Sequence, residues 1–191
     1  MTDLFLKLLD KISSYQIFNY LFPGVIFIEG VEIMKIISFP DDILIFRFFL
    51  YYIAGMILSR IGSVIIEKIY KKFCWVIYAN YKNYLSALKK DEKLDILVME
   101  NNTYRTLIAT FLVLLLLYCL SQFSWFSIFN NSTWSTIVFI VLLIILFSFS
   151  FAKQTSFIRK RTHNDLGIED SEVLAELKKK QKEESLFNKK K

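Results

Sequence analysis

Four charged side chains stand inside stretches that are otherwise apolar: Glu29 and Glu32 in FNYLFPGVIFIEGVE, and Arg47 and Arg60 in the apolar run that follows. A charge in hydrocarbon costs a few kcal/mol even on the lenient insertion scale, so each must find a partner, a path to water, or neutralisation by a proton. If the two stretches form an antiparallel hairpin, Glu32 lies about five residues before the outer end of the first and Arg47 about four after the start of the second. At ~1.5 Å rise per residue they share one depth, which predicts an ion pair. Glu29 is one turn deeper on the same face. It can borrow Arg47, take up a proton, or face a water-filled path, where repetition around an oligomer axis would favour cations. Arg60 can snorkel to the inner headgroups; a pair with Glu67 or contact with an anionic ligand are weaker alternatives.

The rest of the chain explains why hydrocarbon is the medium to consider. Of 191 residues, 54% are hydrophobic and 17% aromatic, with only 5 Gly and 2 Pro. That is too apolar for an ordinary soluble domain and too poor in turn residues for a β-sandwich or an outer-membrane barrel. The sequence predicts an all-α integral membrane protein with four transmembrane helices, at about 17–37, 43–66, 106–126 and 133–152, with cytoplasmic helical extensions. The third and fourth carry no charge. The segment 67–105 holds eight Lys/Arg and the tail from 153 holds eleven, while the other two connections hold almost none. The positive-inside rule therefore places both termini and the middle segment in the cytoplasm, with Trp125 and Trp134 at the outer interface.

Five parts follow: an interfacial amphipathic helix over 1–16, a hairpin over 17–66, a cytoplasmic helical segment over 67–105, a second hairpin over 106–152, and a charged tail over 153–191 with a helix near 169–187. No cleavable leader pattern is evident, so the first apolar run is expected to stay as an anchor. The middle segment reads as one helix continuing from the second span and another leading into the third. Gly55, Ser59, Gly62 and Ser63 form a small-residue stripe on the second span, which predicts a tight helix contact, within the chain or between copies.

Below the membrane, KIYKKFCWVIYANYKNY interleaves Lys68, Lys71, Lys72 and Lys82 with rings that include Trp75, Tyr78 and Tyr81. Rings that stack on bases beside lysines that track phosphate suit single-stranded nucleic acid; the same pattern anchors a helix to anionic lipid or packs a core. No phosphate-binding, dinucleotide or nucleophile-elbow motif is present, and the one histidine, His163, lies in the polar run RKRTHND without an evident metal partner, so neither enzyme activity nor a cofactor is expected. Cys74 and Cys119 have no metal-like spacing and are expected to be structural thiols.

The YxxFNYLFPG lead-in to the first span, the SRIGS motif of the second, four spans with both ends inside and a charged helical tail together resemble the small membrane effectors of bacterial phage-defence operons, the ion-channel effectors of Hailong-type systems in particular. That resemblance implies a homo-oligomeric channel of the inner membrane, with a tetramer as the suggested assembly. It implies closure by a single-stranded DNA oligomer, or a related nucleotide signal, made by a partner nucleotidyltransferase. Loss of the oligomer would open the channel and end the infected cell before phage release, as in abortive infection. On this resemblance the basic and aromatic segment 68–84 and the tail lysines are the candidate ligand contacts, and the C-terminal helix is the candidate gate.

Overall fold

The computed structural model describes residues 16–39, 44–122 and 131–187. The chain is all-helical, with no strand among the described residues. We number the helices in chain order. α1 is π-helical over Ile17–Leu21 and α-helical over Phe22–Ile33. α2 is α-helical over Leu44–Ile61, π-helical over Gly62–Ile66 and α-helical again over Glu67–Lys72. Then come α3 (Tyr81–Leu88), α4 (Lys93–Ser121), α5 (Asn131–Asp165) and α6 (Asp170–Phe187). The expected interfacial helix over 1–16, Trp125, and Lys189 to Lys191 lie outside the described residues, apart from Gln16.

Three helical stretches are long and apolar enough to cross a membrane: Ile45–Lys72, Lys93–Ser121 and Trp134–Asp165. The first expected span is shorter than its predicted range of 17–37. Its parts of 5 and 12 residues cover about 25 Å, against the ~30 Å of a hydrocarbon core. It stops at Ile33 because Lys35 turns left-handed at φ 55°. The Lys35 and Ile36 amides then return to the Glu32 and Val31 carbonyls, 2.8 and 3.0 Å away, a Schellman closure. Cys74 ends α2 in the same way at φ 54°, and Gly167 ends α5 at φ 69°.

Pro23 explains the π turn in α1. It has no amide hydrogen, and its ring presses on the carbonyl four residues back; widening to a five-residue bond, Phe22 N–H to Ile17 O, relieves that pressure. Where α1 crosses α2 the backbones touch. A β-carbon on Gly24 would stand 1.8 Å from the Tyr51 carbonyl oxygen, and one on Gly55 would stand 1.7 Å from that of Tyr20. Farther along, Gly62 faces the Arg105 carbonyl of α4, 3.1 Å from its would-be β-carbon. The small-residue stripe is thus spent within the chain, at Gly55 and Ser59 on α1 and at Gly62 on α4; Ser63 is half-buried.

α4 is the central helix, packed against α1, α2, α3 and α5. One apolar cluster joins Val31, Leu107, Phe111, Leu114 and Ile140; a second joins Ile66, Val76, Ile108, Ala109 and Phe151. Between helices in lipid such contacts act through close packing rather than through expulsion of water. The divisions expected at 105/106 and 152/153 fall inside α4 and α5, which continue unbroken because neither boundary carries Pro or Gly. The middle segment differs more. α2 ends at Lys72, residues 76–80 carry no regular secondary structure, and α3 is a separate short helix capped by Asn80, whose Oδ1 accepts the Lys82 amide at 3.0 Å.

Gly55→Ala is expected to push α1 and α2 apart and cost about 3 kcal/mol or more. Gly167→Ala meets only its left-handed backbone, with nothing within 4 Å, and should cost about 1 kcal/mol. Thermal denaturation in detergent compares them; equal, small losses would remove the backbone contact at Gly55.

Candidate functional site: charges on the α1–α2 hairpin

Glu32 and Arg47 form the ion pair that equal depth requires: Arg47 Nη2 meets Glu32 Oε2, and the other carboxylate oxygen accepts the Phe39 amide at 3.0 Å. Arg47 Nη1 lies 3.9 Å from Glu29 Oε1, so one guanidinium serves two carboxylates. The Tyr51 hydroxyl donates to Glu29 Oε1. Its position is legible in hindsight: Tyr51 is one turn deeper than Arg47 on α2, as Glu29 is one turn deeper than Glu32 on α1. The three side chains differ in exposure, Arg47 at 18%, Glu32 at 21% and Glu29 at 41%. The cluster holds two carboxylates and one guanidinium, and its most exposed member is an acid.

Arg60 is exposed on α2. Glu67, its alternative partner, is engaged elsewhere, by Lys71 at 2.7 Å and by Arg105 of α4 at 2.5 Å. Arg105 can reach it because Gly62 admits α4 to close range. A buried polar layer not foreseen from the sequence crosses the bundle between these two sites. Asn19 Nδ2 donates to Ser59 Oγ at 3.3 Å, and Asn19 Oδ1 accepts from Thr106 at 3.0 Å. One step along α4, Asn101 Nδ2 donates to Thr155 Oγ1 of α5 at 3.0 Å. Each of these residues is buried, so each needs its partner.

The basic and aromatic residues of 68–84 do not share one helical face. Lys68 and Lys72 are exposed at the end of α2, while Lys71 pairs with Glu67 and sits 4.6 Å over the Tyr78 ring. Trp75 packs on Tyr70 and edge-on against Phe149, with ring centroids 5.1 and 5.9 Å apart. Tyr78 is half-buried, and burial pushes its hydroxyl well above the ordinary range. Tyr81 and Lys82 are exposed on α3. The left-handed turn at Cys74 ends α2 and separates the two halves of this run.

His163 is fully buried and has a carboxylate partner, which the sequence reading missed. Asp170, the first residue of α6, accepts from Arg159 Nε and Nη2 at 2.9 and 3.1 Å and lies 2.7 Å from His163 Nδ1. The bidentate Arg159 contact holds the Asp170 carboxyl below the usual carboxylate range, with His163 adding to it, so it is ionised at neutral pH. At the far end of α6, Gln181 Nε2 donates to the carbonyls of Lys71 and Val76 at 2.6 and 3.0 Å. The only sequence signal was the acidic first turn of the tail helix. Cys74 and Cys119 are free thiols, and among the described residues no group of three or more His, Cys, Asp or Glu could hold a metal.

Arg47→Gln strands two carboxylates and is expected to cost about 3 kcal/mol, whereas Tyr51→Phe removes one hydrogen bond at about 1 kcal/mol; denaturation in detergent orders them, and the reverse order would disprove the bridging role of Arg47. Asp170→Asn should leave the bundle intact and raise amide exchange across 170–187 at least about tenfold, as expected when a charged hydrogen-bonded contact is lost; unchanged exchange would show that Asp170 does not hold α6. No protein-family model, curated protein or solved structure matches this chain.

Proposed function

We propose that the protein is the subunit of a homo-oligomeric ion channel of the bacterial inner membrane, an effector of a phage-defence system whose cytoplasmic helices respond to a nucleotide or oligonucleotide ligand. The observation that carries this reading is the half-exposed Glu29 carboxylate, with Arg47 and Tyr51 beneath it, on the outer surface of helices otherwise suited to lipid. Lipid cannot solvate a carboxylate, so that face is covered by a second copy or by water. A ring of copies does both, and repeats Glu29 around an axis where it attracts cations. In this reading α1 is a fourth crossing element, short because it packs inside the assembly rather than against bulk lipid.

The charge distribution supports an orientation with both termini in the cytoplasm. Lys68, Lys71, Lys72, Lys153, Lys160 and Arg161 gather towards the end of the bundle away from the Glu29 cluster, as the positive-inside rule asks of a cytoplasmic end. The exposed Lys68, Lys72, Tyr81 and Lys82 leave cationic and aromatic surface for a ligand there. A second reading, a non-conducting anchor that recruits a soluble partner, is favoured by α6, whose outer face is exposed and charged over Glu176, Lys178, Lys179 and Lys182.

Glu29→Gln is expected to insert normally and to reduce cation selectivity in planar-bilayer recordings, together with toxicity in cells. Unchanged currents would remove Glu29 from the conducting path. Deleting 170–191 separates the two readings: an adaptor falls silent, while a channel keeps its current and loses regulation.

A further inference from the structure

A cavity of about 370 Å³ opens between the irregular segment 76–80, α3, α4 and α5, beside the Asn101–Thr155 contact. Its volume lies within the range of small-molecule sites, about 300–1,000 Å³. The wall carries two cations, Lys71 and Arg159, and no carboxylate. Arg159 is matched by Asp170 outside the cavity, but Lys71 and Arg105 share the single carboxylate of Glu67, which leaves one positive charge in excess beside the opening. A charge left over against low-dielectric walls draws anions.

Three rings, Tyr78, Tyr81 and Tyr84, stand around the same space. Tyr81 is 71% exposed, far more than a ring that serves packing. The Tyr78 hydroxyl, by contrast, is buried against the Arg105 guanidinium with no well-formed hydrogen bond between them, so a ligand atom that bonds it would complete a poorly satisfied group. The Asn102 side chain also lines the cavity, and its amide can both donate and accept. Asp95, which acts on Tyr84, is not part of the lining.

We propose that this cavity binds a small molecule carrying a phosphate or carboxylate on a planar ring: Lys71 meets the anion, Tyr81 and Tyr84 stack on the ring, and the Tyr78 hydroxyl and Asn102 amide fix its edge. The site belongs to the cytoplasmic part read above as ligand-responsive, so it deepens that reading. It does not require conduction, because binding is measured on protein in detergent with no membrane potential.

The test is isothermal titration of the full chain with 1-naphthyl phosphate, which has ring and charge, and with inorganic phosphate, which has charge alone. The expected result is one saturable site per chain for 1-naphthyl phosphate, with inorganic phosphate weaker by about tenfold or more. Tyr81→Ala and Asn102→Leu should each weaken the aromatic anion about tenfold while the melting temperature of the free protein stays the same, since one is exposed and the other makes no side-chain hydrogen bond. No saturable binding, or equal affinity in both variants, overturns the proposal. Equal affinity for the two probes also overturns it, leaving an adventitious ion only.

Discussion

Where α1 crosses α2, the carbonyl oxygens of Tyr20 and Tyr51 occupy the space that β-carbons would take at Gly55 and Gly24, and the other contacts of the hairpin depend on that approach. On one side of the crossing the helices bring Glu29 and Glu32 to Tyr51 and Arg47; on the other they bring Asn19 to Ser59. Both sets of contacts are direct hydrogen bonds, which weaken steeply with distance, and the Asn19–Ser59 bond at 3.3 Å is already long. A crossing even slightly wider would weaken the contacts of Glu29, Glu32 and Asn19 to α2 together, leaving Glu32 its Phe39 amide and Asn19 its Thr106 hydroxyl. Gly24 also follows Pro23, so the residue that allows contact sits beside the residue that forces the π turn.

How far the sequence exposes this depends on whether the cause is local. The pairing of Glu32 with Arg47 follows from two helical stretches, a short connection and the rise per residue, and each of those can be read along the chain. The small-residue stripe marks a close contact, but it does not say with what: Gly55 meets α1 and Gly62 meets α4, both within one molecule. The break at 73–80 is not legible, because FCWVIYAN has no Gly or Pro. There, long-range packing of Trp75 on Phe149 prevails over local preference, and a cysteine takes up a left-handed turn that glycine favours. The Arg159–His163–Asp170 cluster is hidden for a related reason, since its three members read as ordinary surface charges until α6 folds back.

The segment 76–80 shows how an irregular stretch is held without strand partners. Arg159 reaches from α5 to the Ile77 carbonyl, and Gln181 reaches from α6 to the Val76 carbonyl. Side chains thus do for these backbone groups what a neighbouring strand would do. The same two residues anchor the tail helix, Arg159 through Asp170 and Gln181 through Lys71 as well. α6 and the segment 76–80 are therefore tied to one another through the same two side chains.

α4 and α5 run for 29 and 35 residues without a break, roughly 44 and 52 Å of continuous helix. Each is longer than the hydrocarbon thickness and carries its charged residues on the same rod as its apolar ones. α5 has no joint along that length, and Arg159 and His163 tie its end to Asp170 of α6, so a displacement of that anchor would be carried along the rod as a whole. Among the described residues only α1 and α2 have π turns to absorb such a displacement, which makes the Gly24–Gly55 crossing the fulcrum about which the charged hairpin would swing.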